Sequence, residues 1–397
     1  MRKHPFPEWP VWNDAEREAL LRVLQSGKWG SLHGKEVETF ERELAEYQDA
    51  RFAVAVTSGT TALEVALRTV GIKALDEVII PAYTFVATAT AVLSNGAIPR
   101  FADIDLNTFN LDAASVETLI TERTRAIIPV HFSGRAADMD AIMRIARKHQ
   151  LYVIEDAAQA IGAQWRGRGV GAIGNMGCLS FQSSKNITAG EGGMILTNDE
   201  ELFKLARSYM NCGRVEGGLW YAHYHLGGNF RMTEFQAALL RAQLQRYPEH
   251  LKKRQQNMRF LDQRLAELPG ITPLAADERI TSHAGHLYIF RYQAQAFDYL
   301  ERDTFVKALQ AEGIPASPGY SLPLYEQPVF KNRSFGPFTH LLEQKIDYQD
   351  IHLPATHAAC YREAVWLPQN VLLGSRDDML DIVNAIEKVY EHRHELT

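Results

Sequence analysis

Val54-Ala55-Val56-Thr57-Ser58-Gly59-Thr60-Thr61-Ala62-Leu63 runs from an apolar, strand-like segment through small hydroxyl residues straight into a helical pattern. A strand that feeds a helix in this way leaves the first helical N–H groups free, at the positive end of the helix dipole. Gly59 removes the Cβ that would hold an anion off, so Gly59, Thr60 and Thr61 read as a phosphate seat. Ordinary N-capping by Ser and Thr explains the same letters, and the stretch needs company before it decides a function.

Outward from it, residues 52–56, 77–80, 98–103, 126–131 and 152–156 are short apolar runs. Helical patterns lie between them at 62–70, 88–93, from 114, and at 139–148. Strands apolar on both faces that alternate with helices predict an α/β domain with a mainly parallel sheet covered on two sides. Such sheets bind ligands at the carboxyl ends of their strands. Past residue 240 the pattern changes to a long helix at 239–267, closed by Leu268-Pro269-Gly270. A strand at 287–292, a helix at 304–312, a Pro- and Tyr-rich loop at 315–330 and a last helix at 376–393 follow. The expected division is an N-terminal arm and large domain over 1–245, then a connecting helix and small α+β domain over 246–397.

The chain has 397 residues, with 42 Lys plus Arg against 48 Asp plus Glu and a net charge of −6. That balance argues against a nucleic-acid or membrane-surface partner, which would need a basic face. Cys178, Cys212 and Cys360 form no Cys-x-x-Cys pair, so neither a disulfide framework nor a thiolate zinc site is indicated. The fourteen histidines show no H-E-x-x-H spacing, and no metal is expected. The opening Met1-Arg2-Lys3-His4-Pro5-Phe6-Pro7 lacks the apolar region of a signal peptide, and the longest apolar stretch, 78–93, is broken by Pro81, Tyr83 and threonines. A cytoplasmic location is expected.

Two further stretches join the phosphate seat. In Leu151-Tyr152-Val153-Ile154-Glu155-Asp156-Ala157-Ala158-Gln159-Ala160 a carboxylate stands at the end of a buried strand, where it needs a cationic or donor partner. In Cys178-Leu179-Ser180-Phe181-Gln182-Ser183-Ser184-Lys185-Asn186 a lysine follows a strand end, just before Gly190-Glu191-Gly192-Gly193. A helix-capping Asp and a solvated Lys are the plain alternatives. Together, though, the three supply what pyridoxal phosphate requires: an anchor for the phosphate, an anion for the ring nitrogen and an amine for the aldehyde.

The same residues carry a resemblance. Ser-Gly-Thr-Thr-Ala-Leu at 58–63, Pro-Ala-Tyr-Thr-Phe-Val-Ala-Thr at 81–88, Glu-Asp-Ala-Ala-Gln-Ala at 155–160, Ser-Phe-Gln-Ser-Ser-Lys at 180–185 and Gly-Asn-Phe-Arg-Met-Thr-Glu at 228–234 resemble the DegT/DnrJ/EryC1/StrS family of sugar aminotransferases, in the family's order across almost the whole chain. The resemblance implies a fold-type I pyridoxal-phosphate enzyme acting as a homodimer with shared active sites. It makes Lys185 the Schiff-base lysine, Asp156 the partner of the ring nitrogen, Gln159 a neighbour of the ring oxygen and Phe85 the stacking ring. Gly59, Thr60, Thr61 and Ser180 would hold the phosphate, with Asn229 reaching in from the other subunit. The implied reaction moves an amino group from L-glutamate or L-glutamine to the ketone of a keto-sugar or keto-cyclitol.

Gln182, where many nucleotide-sugar members have His, together with Pro7-Glu8-Trp9-Pro10 and Cys360-Tyr361-Arg362-Glu363-Ala364-Val365-Trp366-Leu367-Pro368, looks more like the branch of cyclitol aminotransferases and aminohydroxybenzoate synthases. An aromatising dehydration and a silent cofactor-binding regulator are the alternatives. Trp29, Tyr224, Arg231 and Tyr320 are candidate substrate residues, Arg231 for the donor carboxylate. Gly169-Val170-Gly171-Ala172-Ile173-Gly174 has the letters of a dinucleotide fingerprint but does not open the first strand–helix unit, so no nucleotide role is assigned to it. His131 and His225 read as satisfied strand-end or loop histidines, with the pocket wall as the alternative.

Overall fold

The computed structural model describes residues 4–219, 221–343 and 345–396. Seven strands form the central sheet: β1 (Phe52–Val56), β2 (Glu77–Pro81), β3 (Ile98–Ala102), β4 (Thr124–Ile127), β5 (Tyr152–Asp156), β6 (Met176–Ser180) and β7 (Gly193–Thr197). Their order is β1-β7-β6-β5-β4-β2-β3. Pairings from β3 to β6 are parallel, and β7 runs antiparallel to both β6 and β1. The fold is thus the expected α/β class with a mostly parallel sheet. Strand β7 was not anticipated, because Met194-Ile195-Leu196 follows directly on a glycine cluster that reads as ligand surroundings.

The sheet is buried on both faces, and the period of two shows it. Ala53 and Ala55 join one core cluster, Val54 and Val56 the other. Over the first face lie α2 (Glu36–Tyr47), α6 (Met139–His149) and the start of α8 (Glu234–Leu265), through Phe40, Leu44, Ile142, Ile145, Leu240 and Leu244. Over the second lie α3 (Gly59–Thr69), α4 (Ala87–Ser94) and α7 (Glu200–Met210), through Leu63, Leu67, Val92 and Met210. Helices α1 (Asp14–Ser26) and α5 (Ala113–Thr118) complete this part; α1, α2 and α7 were not anticipated.

Beyond α8, β8 (Ile271–Pro273), β9 (Leu287–Tyr292) and β10 (Ala364–Pro368) form an antiparallel sheet in that order. It packs under α9 (Arg302–Ala311) and α10 (Arg376–Glu391), with Phe290, Phe305, Val365, Ile382 and Ile386 in a core of its own. Residue 245 lies inside α8, which continues unbroken through Pro248. Leu324, Tyr325, Phe330 and Phe335 return from the C-terminal half to the core of the large sheet. No helix among the described residues is long and apolar enough to cross a membrane.

Candidate active site

The carboxyl ends of β1, β5 and β6 open into a cavity of about 700 Å³. Gly59 and Thr60 line it from the start of α3, Asp156 and Ser180 from the last positions of β5 and β6, and Gln159 and Lys185 from the loops that follow them. Phe85 and Tyr320 also line it, from segments remote in sequence.

At the first end, Ser58 Oγ accepts from Thr61 N at 3.1 Å and so caps α3. Thr61 Oγ1 is held by Thr57 and Ser58 at 3.1 and 2.9 Å, so Thr61 completes the cap and does not line the cavity. A Cβ on Gly59 would meet Ser180 Cβ at 2.8 Å. The glycine therefore lets a serine hydroxyl and a helix N-terminus share one small space, a cradle suited to phosphate.

Asp156 is buried at the end of β5. Its Oδ2 accepts from Thr88 Oγ1 at 2.8 Å and its Oδ1 from Ala158 N at 3.2 Å. Burial raises its pKa, and these two donors with the nearby Lys185 charge only partly offset that. Such a carboxylate favours a proton or a cation brought to it. Lys185 responds in the opposite sense: burial lowers its pKa against the pull of Asp156, which moves the amine toward its neutral, nucleophilic form.

Gln159 Oε1 accepts from Ser133 N at 2.6 Å. A backbone N–H only donates, so the oxygen is fixed there and the NH2 end is turned into the cavity, where it also donates to the Tyr320 hydroxyl. Phe85 is 58% exposed and presents bare ring surface to the cavity. A phosphate cradle, a buried carboxylate, a half-buried amine and an open aromatic face in one cavity are a donor set that fits pyridoxal phosphate.

The other expected residues lie elsewhere on this chain. Asn229 is exposed, in a bridge with Asn211. Trp29 Nε1 donates to Leu24 O at 3.2 Å and its ring packs 5.8 Å from Phe235, while Tyr224 is exposed. Arg231 Nη1 donates to Asn211 Oδ1 at 2.8 Å, a structural bond outside the lining. His225 Nδ1 pairs with Ser208 Oγ at 2.8 Å.

Several cavity residues escaped the sequence reading. His286 lines the cavity, with its Nδ1 3.1 Å from Asn186 Oδ1, and burial holds it well below its ordinary pKa, hence neutral. Trp9 reaches over from the arm, its Nε1 donating to Ser183 O at 2.9 Å. Behind Asp156, His131 Nε2 meets Glu155 Oε2 at 2.8 Å, both side chains fully buried. Ala137 N donates to His131 Nδ1 at 3.0 Å, so the ring hydrogen sits on Nε2 and points at Glu155. The 169–174 glycine pattern supplies the remaining donors: Gly171 N, Ile173 N and Gly174 N reach Glu155 at 2.7, 2.8 and 2.6 Å. Its letters encode a buried carboxylate nest that supports β5. Among the described residues no group of three or more His, Cys, Asp or Glu is placed to hold a metal ion.

Comparison with known proteins agrees with this donor set. The DegT/DnrJ/EryC1/StrS aminotransferase family matches residues 11–387. An L-glutamine:2-deoxy-scyllo-inosose aminotransferase of Streptoalloteichus tenebrarius is 36% identical over 418 residues, spanning 100% of this chain and 97% of that protein. The 3-amino-5-hydroxybenzoate synthase of Amycolatopsis mediterranei is 35% identical over 381 residues, spanning 95% of this chain and 96% of that one. A crystal structure of 3-amino-5-hydroxybenzoic acid synthase superposes with a TM-score of 0.88 at 34% identity, over 98% of this chain and 100% of that one. With its fold and nearly its whole length in common with them, the chain belongs to the DegT/DnrJ/EryC1/StrS family of pyridoxal-phosphate-dependent aminotransferases.

Proposed function

We propose that the protein moves the amino group of L-glutamine or L-glutamate to the ketone of a ring substrate, a keto-cyclitol or keto-sugar. The observation that carries this is the placing of Lys185 and Asp156 in one cavity with the Gly59–Ser180 cradle. Pyridoxal phosphate, when bound, supplies an aldehyde that accepts the amine and a ring that withdraws electrons from the carbon losing its proton. The α3 N–H groups and Ser180 would hold its phosphate, Phe85 its face, the Gln159 NH2 its ring oxygen, and Asp156 the proton on its ring nitrogen. Lys185 Nζ would hold the aldehyde covalently, then, once released, take a proton from the donor carbon and return it to the former aldehyde carbon on the other side of the transferred nitrogen. An amine whose pKa is lowered by burial is better fitted to do both than an ordinary lysine. Trp9 adds an aromatic wall to the cavity from the arm.

For the acceptor, a keto-cyclitol is favoured. Among the described lining residues Lys185 is the one cation, and Tyr320 and Trp366 stand edge to face with centroids 4.8 Å apart, a wall suited to the C–H face of an uncharged ring. The inosose aminotransferase among the relatives acts, by its name, on such a ring. The synthase relative favours a second reading, in which the same residues serve an aromatising dehydration. We place the protein in the cytoplasm as a homodimer whose Asn229 completes the partner's phosphate site. Exposed Leu219 (79%) and Leu226 (87%), on the loop before Asn229, support a covered face there.

Borohydride reduction of the cofactor-loaded protein, followed by peptide mass mapping, tests the assignment. The cofactor's mass is expected on the Lys185 peptide and absent from Lys185→Ala. A colourless protein that still aminates a ring ketone contradicts it. Supplying a keto-cyclitol, a nucleotide-linked keto-sugar and an aminodehydroshikimate-type substrate side by side separates the acceptor readings.

A further inference from the structure

Gln369 and Asn370 follow β10 and line the cavity, yet neither belongs to the cofactor's set. Their amides are turned in opposite senses, and the chemistry of each partner fixes the sense. Arg254 Nη2, from α8, donates to Gln369 Oε1. A guanidinium accepts nothing, so the Gln369 oxygen faces it and the NH2 end is left for the cavity. Asn370 Nδ2 donates to Pro7 O of the arm at 2.7 Å. A carbonyl only accepts, so here the NH2 end faces the arm, with one N–H used there, and the oxygen is turned away from it.

Arg254 makes the first orientation rigid. It is fully buried, its Cζ lies 5.6 Å from the Trp9 ring centre, and its Nε and Nη1 have no hydrogen-bond partner among the described residues. Turning the Gln369 amide over would aim its NH2 at this buried cation. Gln369 is itself only 3% exposed, so such a flip would set a buried donor against a buried cation.

The cavity thus carries a fixed donor and a fixed acceptor on consecutive residues. A ring hydroxyl both donates and accepts, so a pair of locked polarity confers no selectivity among ring alcohols. A carboxamide has one group of each kind, side by side in a plane. A carboxylate only accepts and would face Asn370 Oδ1 with no proton between the two oxygens. We propose that Gln369 and Asn370 recognise the side-chain carboxamide of the amino donor, selecting L-glutamine over L-glutamate, with Arg254 as the positioning residue. This rests on the amino-transfer reading given above.

The test uses glutaramate and glutarate, which differ in carboxamide against carboxylate and lack the amine needed for reaction. Binding of each to the cofactor-loaded protein is measured by calorimetry. Glutaramate is expected to bind about tenfold or more tighter, the scale of one to two hydrogen bonds in a buried site. Gln369→Leu, Asn370→Leu and Arg254→Met should each bring the ratio toward one with the cofactor's absorbance unchanged, and Arg254→Lys, which also only donates, should restore most of it. Should Arg254→Met fail to fold, the Gln369 and Asn370 variants still decide. Equal binding in the wild type, or a ratio that the variants leave unmoved while the acceptor KM rises, overturns the proposal. An intact ratio in a protein that takes no amino group from glutamine overturns the transfer reading and upholds the carboxamide site.

Discussion

Glu155 and Asp156 are consecutive carboxylates on one buried strand, and their pKa values move in opposite directions. Burial raises both. Glu155 overcomes it with His131 and three backbone N–H groups and ends below its ordinary value near 4.5, whereas Asp156, with Thr88 and Ala158, stays above its own. A depressed carboxylate stabilises the fold above its unfolded pKa and loses that contribution as pH falls through the folded one. Glu155→Gln should therefore cost about 3 kcal/mol at pH 7 in urea unfolding and weaken the acid dependence below about pH 4.5. Asp156→Asn should leave stability nearly unchanged and slow the donor half-reaction about a hundredfold or more in single-turnover absorbance. Asp156 was legible in the sequence because a strand end is where this sheet class binds ligands. The nest around Glu155 was not, because its glycines lie beyond the next turn and only tertiary packing brings them back. Gly174 shows the constraint: a Cβ there would meet Val153 O at 2.7 Å.

Helix α3 does two things with one terminus: Ser58 caps it, while Gly59 keeps it open toward Ser180. Gly59→Val should fill the cradle and weaken pyridoxal phosphate binding about tenfold or more, read by equilibrium titration, since overpacking costs about 1–3 kcal/mol. A second junction ties α8 to α2, where Glu234 accepts from Glu36 N at 2.7 Å and Val37 N at 3.2 Å. Glu234→Ala should destabilise the protein by about 2 kcal/mol in urea unfolding, the scale of charge-assisted bonds. Strongly periodic elements such as β9 and α8 were readable to within a few residues. Helix α1 was not, because it lies just past the arm and only its contact with Ala238 gives Ala19 and Val23 a core to enter.

Across the whole molecule, the cofactor residues cluster on one chain while Asn229, Trp29 and Tyr224 lie off the cavity, which is what the proposed dimer would correct. Sequence order alone could not divide them, since intersubunit placement leaves no period or spacing to read. Mixing Lys185→Ala with Asn229→Ala subunits tests it: sites built across the interface restore activity to about a quarter of wild type, as half the dimers are mixed and each holds one intact site. No recovery contradicts a shared site. The central claim is amino transfer through a cofactor held by Lys185, and stepwise absorbance measures it most directly. L-Glutamine without acceptor should abolish the visible band of the loaded protein, and adding a keto-cyclitol should restore it. A band that glutamine and glutamate both leave unchanged would contradict the account.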